Sequence, residues 1–89
     1  MLVFFTCATS GPARRMESLL AHIARKERER LHVRRVDADE HPRLIRKFGI
    51  EEVPALLLVI DGKVAGRING RANMPQIEVL LEQHLATPV

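Results

Sequence analysis

The sequence predicts an α/β domain, on three observations. Leu2-Val3-Phe4-Phe5 is a short unbroken apolar run, the pattern of a strand covered on both faces, as in a parallel sheet. After a turn, Met16, Leu19, Leu20 and Ile23 recur at i, i+3, i+4 and i+7, which is one apolar stripe along a helix. Ala55 to Ile60 is a second strongly apolar run, and Asp61-Gly62 behind it is a two-residue type I′ hairpin signal. With 89 residues the chain reads as one domain over 1–86, followed by a frayed tail over 87–89.

The first strand ends in small or polar residues, and Ser10-Gly11-Pro12 reads as a helix start. Ser10 is able to cap free backbone N–H groups there, and Pro12 has no N–H to lose in the first turn. The helix is expected from Pro12 to about Glu29, ending in the mixed charges Arg25 to Arg30 as a solvated turn. Leu31 to Asp37 reads as the next strand, with Leu31, Val33 and Val36 apolar, and Arg35 is expected to reach outward without a partner. Asp39 is the expected N-cap of a short helix running to about Lys47, buried through Leu44, Ile45 and Phe48, with Gly49 as a left-handed C-cap. Val64 to Ile68 returns from the hairpin as an edge strand, where Gly66 weakens packing or marks a bulge. Residues 69–73 form a loop, and Pro75 opens a last helix with Met74, Ile77, Leu80, Leu81 and Leu85 at helical spacing.

Composition narrows the function. A net charge of +3 is modest for a nucleic-acid binder, and the three aromatic residues are all Phe in apolar contexts, so no base-stacking platform is expected. The four His and one Cys show no ligand spacing, so neither a metal nor a cofactor is implied. No stretch approaches the ~18 apolar residues of a membrane span, and the opening MLVFFT lacks a basic leader. One cysteine allows no internal disulfide and points to a reducing, cytoplasmic setting.

Three stretches together resemble the thioredoxin family and cover nearly the whole chain. Ser10-Gly11-Pro12-Ala13 is similar to the family's Cys-Gly-Pro-Cys turn, with Ser10 and Ala13 in the two cysteine positions. Val36 to Pro42 followed by Phe48-Gly49-Ile50 resembles the second strand, its acidic turn and the helix beyond it. Val53-Pro54 with the strand and hairpin behind it resembles the cis-proline turn. The resemblance implies a minimal βαβαββα core, a four-stranded mixed sheet with helices on both faces, without the family's leading strand and helix.

It also implies where function would lie. In thioredoxins the first cysteine attacks a disulfide and the second resolves the product, and neither step is available to Ser10 or Ala13. The residues implied for binding are Ser10, Gly11, Pro12, Val53, Pro54 and Gly70, a face that would pair with a protein or extended peptide, bordered by Arg14, Arg15, Glu51, Glu52 and Arg71. Set against this, Ser10 serves as a cap and Pro54 shapes only the fold. Two alternatives stay open. Cys7 is the remaining thiol and would act alone in a monothiol redox protein or sensor, set against its reading as a small structural cysteine. Alternatively, Ser10 and Ala13 replace two cysteines of a thiol-disulfide oxidoreductase.

Overall fold

The protein is described from a computed structural model covering residues 1–9 and 11–85. The reading of Ser10 as a cap and binding residue, and of 87–89 as a tail, lies outside the described residues. The elements are β1 (Leu2–Thr6), α1 (Gly11–Lys26), β2 (Val33–Asp37), α2 (Pro42–Lys47), β3 (Ala55–Ile60), β4 (Lys63–Asn69) and α3 (Met74–His84).

The sheet runs β2-β1-β3-β4. Helix α1 crosses over between β1 and β2, which pair in parallel; β3 lies antiparallel to β1, and the hairpin makes β4 antiparallel to β3. Alternation along the two central strands then divides the core. Leu2, Phe4, Leu56 and Leu58 face α1 and α3, meeting Met16, Leu20, Ile23, Ile77, Leu80 and Leu81. Val3, Phe5, Ala55 and Leu57 face the other side, where Ile50 and the partly buried Leu44, Ile45 and Phe48 cover them. Helices thus lie on both faces. Each large apolar side chain buried this way contributes about 1.5–3 kcal/mol.

Several local expectations are corrected. Helix α1 ends at Lys26 rather than Glu29, because beyond Ile23 the stripe has only charged residues to present; Glu27 to Arg30 turn, and the Leu31 N–H donates to the Glu27 carbonyl at 2.8 Å. The Arg30 guanidinium donates to the Glu27 carboxylate and holds that group below its ordinary pKa. Strand β2 starts at Val33, while Leu31 is buried in the core ahead of it. Arg35, opposite Phe4 in the register, does have a partner: its guanidinium meets the Glu17 carboxylate of α1 at 2.9 Å.

The cap of α2 is His41, not Asp39, and His41 makes no side-chain capping bond; Asp39 instead donates its N–H to Asp37 Oδ1 at 2.9 Å, which closes a turn before the helix. Gly49 takes φ +63 after the helix, as expected of a left-handed residue, while Leu44, Ile45 and Phe48 are partly rather than fully buried.

Strand β4 is longer than expected, and its pairing slips where Leu58 faces Gly66 and Val59 faces Val64, leaving Ala65 over as the bulge. Gly66 also lies directly under α3, since a Cβ there would fall 2.5 Å from Leu80 Cδ1. At the start of α3 the Asn73 side chain accepts from the Gln76 N–H and the Gln76 side chain accepts from the Asn73 N–H, a reciprocal capping box.

Two substitutions test this packing. Gly66→Val forces Leu80 aside and should destabilise the fold by about 1–3 kcal/mol in urea unfolding. Asn73→Ala opens the capping box and should cost about 0.5–2 kcal/mol in the same measurement.

Candidate functional site

Strand directions bring the predicted site residues to one end of the sheet. Strand β1 ends at Thr6 where β3 begins, since Phe5 pairs with Ala55, and Ala55 pairs in turn with Asn69 at the end of β4. Pro54 and Gly70 therefore flank the same point, and the Gly70 N–H donates to the Pro54 carbonyl at 2.8 Å. The N-terminus of α1, with Gly11 and Pro12, opens at this end too.

The Val53–Pro54 peptide bond is cis. Pro54 is buried and Val53 is half-buried. Among the described residues, neither the N–H nor the carbonyl of Val53 has a hydrogen-bond partner. An unpaired donor and acceptor beside a sheet end are what an added strand would use. Gly70 takes φ +79, and the Glu52 carboxylate closes over it, with Oε1 3.0 Å from where a Cβ would stand.

Cys7 is half-buried just after β1. Its Sγ lies 3.1 Å from Thr9 Oγ1 and donates to Asp39 Oδ2 at 3.5 Å. Arg14 and Arg15 are exposed on α1, and among the described residues neither reaches the thiol. Ala13 is fully buried against the α1 face of the sheet. Thr6 is also buried, and among the described residues its Oγ1 has no hydrogen-bond partner. No group of three or more His, Cys, Asp and Glu side chains is placed to hold a metal ion among the described residues. The contact between Cys7 and Asp39 was invisible to sequence reasoning, because it joins two turns far apart in the chain.

Glu51, Glu52 and Arg71 are exposed, as are Arg14 and Arg15. Of these, Glu52 is the one whose side chain reaches the Gly70 turn.

The family model for thioredoxin matches residues 1–83. Thioredoxin of Griffithsia pacifica is 30% identical over 87 residues, which covers 96% of this chain and 78% of that protein. Thioredoxin of Alicyclobacillus acidocaldarius subsp. acidocaldarius is 31% identical over 81 residues, 91% of this chain and 77% of that one. A malarial protein of known structure superposes with a TM-score of 0.86 at 18% identity, over 96% of each chain, which shows the fold.

Gly70→Ala tests the turn that joins Pro54 to β4. A side chain at this positive φ, pressed against Glu52, should destabilise the protein by about 1–2 kcal/mol on urea unfolding, and Glu52→Ala in the same chain should recover part of that loss.

Proposed function

The chain belongs to the thioredoxin family, and we propose that within it this protein binds an extended peptide or protein segment without running dithiol chemistry. The observation that carries this reading is that the N–H and carbonyl of Val53, beside Pro54, have no hydrogen-bond partner among the described residues. A segment laid antiparallel to Val53 would satisfy both groups, and backbone hydrogen bonds of this kind recognise a strand with little regard to its side chains. Gly11 and Pro12 at the start of α1 and the Gly70 turn stand at the same end of the sheet and would border the segment.

Chemistry argues against turnover. A disulfide reductase of this family needs a nucleophilic thiolate and a second thiol to release it. By the resemblance of Ser10-Gly11-Pro12-Ala13 to the family's turn, Ser10 and Ala13 stand in those places, and the chain has one cysteine. A serine hydroxyl attacks only with a base beside it. His22, His32 and His84 are carried on α1, ahead of β2 and at the end of α3, while the His41 ring contacts the Asp37 carbonyl at 3.1 Å. The lone thiol fits a reducing, cytoplasmic setting. No helix among the described residues is long and apolar enough to cross a membrane.

The test uses insulin as the disulfide substrate and dithiothreitol as the reductant. The rate with this protein should equal the protein-free blank, and Cys7→Ala should change nothing. The same Cys7→Ala variant should keep full affinity for an extended apolar peptide labelled with fluorescein, read by anisotropy. A rate above the blank that disappears with Cys7→Ala would establish monothiol chemistry in place of simple binding.

A further inference from the structure

Beside Val53 lies a cavity of about 400 Å³, between the first turns of α2 and the segment leading to Pro54. Its floor is apolar, made by Pro42, Ile45, Ile50 and Val53. Its rim is acidic: Asp39, Glu51 and Glu52 line it, against a single cation among the described residues, Arg46. Three carboxylates and one guanidinium leave the rim at −2 (−3 + 1), opposite in sign to the +3 of the whole chain. Among the described residues none of the three carboxylates is in an ion pair, since the ion pairs there join Lys26 to Glu78, Arg30 to Glu27 and Arg35 to Glu17.

We infer that this cavity is the side-chain subsite of the Val53 groove and that it takes an arginine or lysine of an extended basic peptide. The inference rests on the peptide-binding reading of Val53. A strand paired with Val53 would project alternate side chains to one face, and the cavity begins at Val53 itself. The occupant must bring apolar surface for the floor and positive charge for the rim. A long basic side chain has both, because its methylene stem packs on aliphatic groups while the cationic head stays at the wet edge among carboxylates. A purely aliphatic side chain would bring the carboxylates no countercharge, and an acidic one would be repelled by them.

The experiment uses three fluorescein-labelled peptides, Ala-Val-X-Val-Ala, in which X is arginine, its neutral isostere citrulline, or glutamate. Anisotropy titrations at low and at physiological salt read the dissociation constants. The arginine peptide should bind about ten-fold more tightly than the citrulline peptide at low salt, with the margin shrinking as salt rises, and the glutamate peptide should bind most weakly. Glu51→Gln combined with Glu52→Gln, both exposed positions, should abolish the margin while keeping affinity for the citrulline peptide. Arg46→Gln should tighten the arginine peptide alone, a gain that misfolding does not produce. Equal binding of arginine and citrulline peptides would overturn the basic-side-chain assignment and leave the Val53 groove standing. Binding of none of the three would overturn both.

Discussion

Burial of the two central strands on both faces is the constraint from which the rest follows. Strands β1 and β3 pair with each other and are flanked by β2 and β4, so their backbones are paired within the sheet while α1, α3 and α2 cover their side chains. Apolar residues at consecutive positions serve this arrangement, because every side chain meets a helix on one face or the other. A polar residue substituted into Leu56 or Leu57 would be buried without a partner whichever face it took. The same burial holds the register, since a slip by one residue would exchange the two faces and set Leu56 against the small α2 side.

The candidate site is a by-product of that register. Once β1 and β3 are antiparallel and β4 follows through a tight hairpin, the end of β1, the start of β3 and the end of β4 converge. Chain segments leaving the sheet here must turn at once, and Cys7, Pro54 and Gly70 occupy those turns. Two backbone groups beside the turn are joined, Gly70 to Pro54, while those of Val53 face no partner among the described residues. The resulting edge is hydrogen-bonded at Gly70 and, among the described residues, open at Val53.

The central fold was legible because burial writes itself into composition over short distances. Leu2 to Phe5, Ala55 to Ile60 and the stripe through α1 each span adjacent residues or one helical repeat, and Asp61-Gly62 has the positive φ values that its residue types favour. Element ends were less legible. Arg25 to Arg30 continues a helical charge pattern, yet α1 stops at Lys26, because packing ends with Ile23 and the charges alone do not sustain the helix. The Asn73 and Gln76 spacing is itself a capping-box signal, set beside Pro75 at the start of α3. Arg35 finding Glu17, and Cys7 finding Asp39, join residues from different elements, and no local pattern encodes such pairs. At the site, the types of residue at Val53, Pro54 and Gly70 became meaningful through family resemblance; that the Val53 backbone has no partner among the described residues emerges only from the folded chain.

Amide hydrogen exchange at Val53 reads whether an extended peptide pairs with that residue. The Val53 N–H, without a partner among the described residues, should exchange rapidly in the protein alone and slow by at least about ten-fold when a saturating extended peptide is present. Gly70, already bonded to Pro54, should change far less. A Val53 amide that keeps its fast exchange under saturating peptide, with protection gained instead along the outer edge of β4 or on α3, would contradict that pairing and move the binding surface elsewhere.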